Sequence, residues 1–389
     1  MIAFTFPGQG AQKPGMGRPW VDHPSWELVA EASEVAGRDV AHLVVDADAD
    51  ELLQTRNSQL ATFVLSLVVL DAVERVGVEP ARFAGHSLGE YAALAASGAV
   101  DFADGVRLVV ERGEAMQAAA EARSGTMAAV LGLDDDQVEI ACHRAVENVW
   151  VANYNAPGQV VIAGDLDNVE AAGVVAKELG AKRVMPLAVS GAFHTPFMAP
   201  ARDRLTKALR EIDLRDSDVP VVSNVDALAH TKGGEWATLL SAQLCSPVRW
   251  RQTLHGLERD GVTTFVELGP GAVLTGLAKR TVAGARAHSV SVPDDLDTLL
   301  EALTGHQPHV GTEGEHLFMT ERMVVSPAAG VFSPDPRVEP GQLLTVGHRL
   351  GVVAGEEVRS PFDGTLMGVL AKDGERVMVH QPIAWLRTA

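Results

Sequence analysis

The pentapeptide Gly85-His86-Ser87-Leu88-Gly89 constrains this chain most, because of what flanks it. Residues 81–84 are strand-like, and residues 90–96 are alanine-rich and suited to a helix. A Gly-x-Ser-x-Gly run between a strand and a helix is a nucleophile elbow. The strand must turn sharply with the serine at the tip, so small residues are needed on either side. The hydroxyl then projects beside a helix N-terminus, where backbone N–H groups and the helix dipole favour a developing oxyanion. An ordinary turn is the competing reading of the pentapeptide, and the strand-to-helix context argues against it.

Strand-like and helix-like segments alternate through the first three hundred residues, which reads as α/β, with a parallel-sheet core of α/β-hydrolase type. Residues 2–6 are a buried strand candidate and 57–76 a long apolar helix; 263–268 is a strand followed by a helix over 273–280. Between residues 124 and 188 the rhythm changes to strand, helix, strand, strand, helix, strand. That is the order of a ferredoxin-like unit, expected as an insertion that leaves a cleft against the larger body. Residues 305–318 are polar, contain His306, His309 and His316, and read as a linker. Beyond it the chain is β-rich and echoes itself. Ser326-Pro327-Ala328-Ala329-Gly330 recurs as Ser360-Pro361-Phe362-Asp363-Gly364, so residues 319–389 should form a small barrel-like module of two similar halves.

The net charge of -19 argues against a nucleic-acid or anionic-membrane partner, because phosphate is repelled at long range. An anionic ligand would need a local cationic site. No uninterrupted apolar run reaches the length of a membrane span, and residues 1–6 read as a strand, not a signal peptide. Cys142 and Cys245, the only cysteines, make neither a disulfide framework nor a metal spacing, so a cytoplasmic setting without a metal is expected.

Three further positions carry possible chemistry. The loop Gly8-Gln9-Gly10-Ala11-Gln12 has Lys13 where a dinucleotide loop needs its third glycine, so nucleotide readings fail. It remains either a turn or a place where a backbone N–H approaches a reacting carbonyl. Arg112 shares an apolar helix face with Leu108 and Met116, while Arg107, Glu111 and Glu114 share a solvated one. An inward guanidinium calls for an anionic partner, which a structural ion pair or a ligand carboxylate would supply. His194, in Ser190-Gly191-Ala192-Phe193-His194-Thr195-Pro196, lies at a strand-to-helix junction and is a candidate base for a serine nucleophile.

Taken together, residues 1 to about 304 resemble the malonyl-CoA:acyl carrier protein transacylases of fatty-acid synthesis and the related acyltransferase domains of polyketide synthases. The resemblance rests on FPGQGAQ from Phe6, GHSLGEYAAL from Gly85, ERGEAMQ from Glu111 and GTMAAVLGL from Gly125. SGAFHTPFM from Ser190, QLCSPVRW from Gln243 and ELGPGAVLTGLAKR from Glu267 complete it. It implies that Ser87 is acylated, with His194 as its base and Arg112 binding the malonyl carboxylate. The N–H groups of Gln9 and Leu88 would form the oxyanion hole, and the main-chain carbonyl of Gln243 would orient the histidine. Phe193 would narrow the space beside the acyl α-carbon. Malonyl-CoA and acyl carrier protein are the implied partners, and no cofactor is implied. Rival readings are a serine hydrolase or editing thioesterase, and a scaffold whose transferase half is degenerate.

The C-terminal module resembles biotinyl and lipoyl carrier domains, which carry a modified lysine on the hairpin joining their halves. That hairpin is expected at residues 346–354, with His348 and Arg349 in place of the lysine. Lys372 is the only lysine in the module. A non-carrier appendage is therefore expected.

Overall fold

The computed structural model describes residues 1–145, 147–304, 321–377 and 381–387. The chain divides into two compact units, Met1–Gln307 and Pro308–Ala389. The expected linker, 305–318, lies outside the described residues.

In chain order the strands of the first unit are β1 (Ile2–Phe6), β2 (Arg82–Gly85), β3 (Thr126–Leu131), β4 (Val149–Ala156) and β5 (Gln159–Gly164). They continue with β6 (Arg183–Pro186), β7 (Val221–Val222), β8 (Ala229–His230), β9 (Thr264–Leu268) and β10 (Arg286–Val290). Helices that matter for the site are α1 (Thr55–Arg75), α2 (Gly89–Ala96), α3 (Phe102–Ala122), α4 (Asp135–Arg144), α5 (Leu166–Glu178), α6 (Gly233–Gln243) and α7 (Val273–Thr281).

The central sheet has the order β10-β9-β1-β2-β7-β8. All its pairings are parallel except β7 with β8. Parallel strands are covered on both faces, which explains why Phe4, Phe6 and Val266 are fully buried and why β1 reads as an unbroken apolar run. In-register pairing of Phe6 with Gly85 brings the C-terminal ends of β1 and β2 together. The loops leaving these two ends, Pro7–Gly10 and His86–Leu88, therefore meet at one edge of the sheet, where ligands of such sheets bind.

A second sheet, β4-β5-β3-β6, is antiparallel throughout. With α4 between β3 and β4 and α5 between β5 and β6, the chain order is β-α-β-β-α-β. Its own core includes Val130, Val138, Val160, Ile162 and Ala172. The boundaries read from sequence shift by a few residues at most, as expected where ends fray.

Helix α1 does have the length and mean apolarity of a membrane span, although polar residues interrupt its apolar run. It is a core helix: 89% of its most apolar window is buried inside the protein. Asn57, Ser58, Gln59, Thr62 and Ser66 are interior positions on it.

The second unit contains two four-stranded sheets around a core of Val324, Phe332, Leu350, Val358, Leu366 and Leu386. The repeated Ser-Pro-x-x-Gly turns are built alike. Ser326 Oγ donates to the Ala328 carbonyl at 2.7 Å, and Ser360 Oγ donates to the Phe362 carbonyl at 2.7 Å. Gly341 N–H bonds the Leu366 carbonyl, and Gly374 N–H bonds the Phe332 carbonyl. The expected joining hairpin is displaced. Its strands are Arg349–Val353 and Glu356–Arg359, and the turn between them is Ala354-Gly355. His348 precedes the first of these strands and Arg349 begins it, so neither occupies the tip. A turn at Ala354 φ 50° followed by Gly355 φ 87° suits a two-residue hairpin, and residues 346–348 do not provide one.

Candidate active site

The elbow forms as it does because two glycines let backbones touch. A Cβ at Gly85 would lie 1.9 Å from the Gly89 carbonyl carbon, and one at Gly89 would lie 2.0 Å from the Phe6 carbonyl oxygen. Ser87 at the tip has φ 53°, a left-handed backbone that costs a non-glycine residue energy. Asn224, just after β7, compensates: its Oδ1 accepts the Ser87 N–H at 2.7 Å and its Nδ2 donates to the Gly85 carbonyl at 2.7 Å.

Ser87 Oγ and His194 Nε2 are 2.7 Å apart. His194 Nδ1 donates to the Gln243 main-chain carbonyl at 2.9 Å. That carbonyl can only accept, so the ring proton sits on Nδ1 and Nε2 is left as the acceptor of the serine proton. Burial, then the nearby Arg112 charge, push the imidazole down to about 3. His194 is therefore neutral at physiological pH and able to take a proton.

Arg112 is buried on α3, beside Leu108 and Met116 as the helix periodicity requires. Its Nη2 donates to Ser87 Oγ at 3.0 Å and to Gln243 Oε1 at 3.1 Å, and its Nη1 donates to Gln59 Oε1 at 2.7 Å. The guanidinium also lies 5.2 Å from the centroid of the Tyr91 ring. Among the described residues no carboxylate hydrogen-bonds to it, so the structural ion pair weighed as an alternative is absent. Its Nε–H is buried and has no acceptor among the described residues.

Gln9, Ser87, Phe193 and His194 line one cavity of about 220 Å³ together with Met116, Met127, Val161 and Leu277. This cavity lies between the loops of the central sheet and the face of the β4-β5-β3-β6 sheet. The N–H groups of Gln9 and Leu88 have no acceptor among the described residues. All seven residues singled out from the sequence thus fall within one neighbourhood.

Several partners were not anticipated. Gln59, Glu90, Tyr91, Asn155 and Asn224 complete the polar network, with Asn155 Oδ1 2.9 Å from His86 Nε2. Glu90 carried a signal, as a charged residue opening an otherwise apolar helix. Asn224 carried a weaker one, as a polar residue at the C-terminal end of a parallel strand. Gln59 and Asn155 carried none, since each is one amide among many.

The model of the acyl transferase domain family matches residues 3–307. The malonyl CoA-acyl carrier protein transacylase of Bacillus subtilis is 42% identical over 307 residues, covering 78% of this chain and 97% of that protein. The Escherichia coli K12 protein of the same name is 42% identical over 309 residues, covering 77% and 99%. A solved acyl carrier protein S-malonyltransferase from Vibrio cholerae is 42% identical with a TM-score of 0.74, covering 77% of this chain and 99% of its own. A malonyl-transacylase solved with its type II polyketide acyl carrier protein is 40% identical with a TM-score of 0.75, again covering 77% and 99%. Matches of this extent leave one assignment: the chain is an acyltransferase and belongs to the acyl transferase family, in its malonyl CoA-acyl carrier protein transacylase branch.

Proposed function

We propose that this chain moves a malonyl group from malonyl-CoA to the phosphopantetheine thiol of acyl carrier protein through a malonyl-Ser87 intermediate. The observation that carries this reading is the convergence of a neutral imidazole and a buried guanidinium on one serine hydroxyl, at 2.7 Å and 3.0 Å. A hydrolase or thioesterase needs the first of these and has no use for the second.

His194 Nε2 takes the Ser87 proton as Oγ attacks the thioester carbonyl carbon. The oxyanion sits against the N–H groups of Gln9 and Leu88. The C–S bond breaks and the coenzyme A thiolate leaves with the proton held by His194. In the second half the carrier thiol gives its proton to His194, its sulfur attacks the malonyl ester, and Ser87 Oγ leaves and is reprotonated. The balance closes with one proton shuttled in each direction.

Arg112 accounts for the choice of acyl group. Its Nε–H is unpaired, and a carboxylate that also took over one of the two Nη2 donations, to Ser87 Oγ or Gln243 Oε1, would be held bidentately. Neutralising Arg112 also removes one of the three causes that depress His194, the others being burial and His86, so the malonyl carboxylate raises the basicity of the imidazole beside it. Phe193, 5% exposed in the cavity wall, bounds the space at the acyl α-carbon.

Within this reading residues 1–304 are the acyltransferase domain, with a hydrolase-like core and residues 124–188 as an inserted ferredoxin-like subdomain. The antiparallel order β4-β5-β3-β6 supports the latter. Residues 319–389 are a biotinyl/lipoyl-like module without its modified lysine, supported by the matched hydrogen bonds of its two halves. A reducing cytoplasm suits Cys142 and Cys245, both free thiols.

The test is intact-mass analysis after incubation with a panel of acyl-CoAs, followed by location of the acylated peptide. Malonyl addition should map to Ser87, and Ser87→Ala should lose both labelling and transfer by several powers of ten in rate. Labelling of the alanine variant would refute the assignment.

A further inference from the structure

Glu90 opens α2 three residues after the nucleophile and has no exposed surface. Glutamates are almost never fully buried unless paired. Here no cation hydrogen-bonds to it among the described residues. Its Oε2 accepts from Gln243 Nε2 at 2.7 Å and from the Asn224 backbone N–H at 3.1 Å, while Oε1 has no partner among the described residues.

The Gln243 side chain connects this carboxylate to the reacting groups. Its Nε2 also donates to the Ser87 carbonyl at 2.9 Å, and its Oε1 accepts from Arg112 at 3.1 Å. Only one orientation of the amide satisfies both ends, with its nitrogen toward the acceptors and its oxygen toward the guanidinium. The same residue supplies the main-chain carbonyl that holds His194. A single residue thus stands, through its side-chain amide, between a buried carboxylate and a buried guanidinium and, through its main-chain carbonyl, anchors the imidazole as well.

We propose that Glu90 is the positioning residue of this site, holding Arg112 and the Gln243 carbonyl that orients His194 in place through Gln243, and that its charge competes with the acyl carboxylate for Arg112. The proposal rests on the malonyl reading above. It predicts that preference for a carboxylated acyl group is linked to the protonation of Glu90.

Burial pushes the Glu90 carboxyl up to about 7, opposed by Gln243, the Asn224 N–H and Arg112. Its immediate neighbours shift away from that range. Tyr91, next on the helix, is pushed upward by burial, and His86 and His194 are pushed downward by it. Asp226 adds a negative charge and lies 3.0 Å from His230, whose imidazole is raised from its ordinary value, against burial, by Glu235 and Asp226. The Glu90→Gln profile separates that titration from Glu90. Below pH 7, then, Glu90 carries a proton and the Arg112 charge is uncompensated. Above it, Glu90 is an anion that partly satisfies Arg112 and repels a second carboxylate. Malonyl gains most in the protonated state, whereas acetyl is indifferent. By reciprocity, malonyl bound at Arg112 raises the affinity of Glu90 for its proton.

The experiment measures kcat/KM for malonyl-CoA and for acetyl-CoA on the full chain, from about pH 5.5 to about pH 8.5. Ionisations of the free enzyme that both substrates need equally, and those of the coenzyme A moiety, cancel in the ratio. The malonyl-to-acetyl ratio should fall about tenfold as pH rises through the Glu90 titration, which corresponds to about one unit of linked shift. In Glu90→Gln, which keeps size and acceptor but not charge, the ratio should no longer vary with pH. A flat ratio in the wild-type protein overturns the proposal, as does a slope that persists in Glu90→Gln. If the glutamine variant does not fold, the wild-type profile decides alone. Absence of malonyl from wild-type Ser87 would instead sink the malonyl reading, whereas normal malonylation with a flat ratio sinks only the role of Glu90.

Discussion

Arg112 is the residue on which selectivity turns, and its environment makes the prediction sharp. Its hydrogen-bond partners among the described residues are two glutamine amides and a hydroxyl, all neutral, so no direct ion pair competes with a ligand carboxylate. Arg112→Ala should lower kcat/KM for malonyl-CoA by about a hundredfold to several thousandfold, the scale set by about 3–5 kcal/mol for truncating one member of a buried pair. Acetyl-CoA turnover should fall far less. Parallel measurement of both substrates checks this, and equal losses would make Arg112 a structural residue. Ser87 and His194 both hold left-handed backbones, φ 53° and 60°, where non-glycine residues are rare. Asn224 and Gln243 brace them at 2.7 Å and 2.9 Å, so local strain is held by the network that orders the reaction.

At the scale of elements, the β2-to-α2 turn is where packing is least forgiving. A methyl at Gly89 would collide with the Phe6 carbonyl oxygen at 2.0 Å, and these are backbone atoms that cannot swing aside. Gly89→Ala should therefore separate β1 from α2, displace the Ser87 hydroxyl and destabilise the protein by about 3 kcal/mol, the upper end of the usual range for overpacked interiors. Thermal denaturation and malonyl labelling, followed together, should both decline. Retained labelling at unchanged Tm would show that the loop relaxes more easily than its geometry implies. The strand–elbow–helix order was legible because glycine, serine and alanine leave few other conformations open there. The contribution of β7 was not, since a two-residue strand carries no period to detect, yet it delivers Asn224 to the elbow.

For the molecule as a whole, the family match ends at residue 307, and the second unit begins at Pro308. The Escherichia coli relative, 99% of which is matched by 77% of this chain, is complete without a counterpart of that second unit. A chain ending at Thr304 should accordingly keep malonyl transfer to carrier protein within about threefold, since Ser87, His194, Arg112 and their partners all belong to the first unit. Complete loss of transfer in a folded truncation would assign the second unit a part in the chemistry. Intact-mass analysis of the full chain should show no biotin- or lipoate-sized adduct. The tip of the expected attachment hairpin is Ala354-Gly355, and Lys372, the module's only lysine, lies in a different turn.

Local chemistry determined much of this protein in advance. The elbow, the alternation of strand and helix, the inward face of α3 and the echoed Ser-Pro-x-x-Gly turns each follow from spacing and residue size within a short window. The membrane-length apolarity of α1 shows the limit of such windows, because only packing on every side makes it a core helix. Tertiary structure alone decided which amides meet Arg112, that no carboxylate among the described residues bonds to it, and that Glu90 lies buried behind Gln243. Those contacts join residues 53, 131 and 153 positions apart. No local pattern encodes a pairing at that distance, because it exists only once the sheet has brought the ends of its strands together.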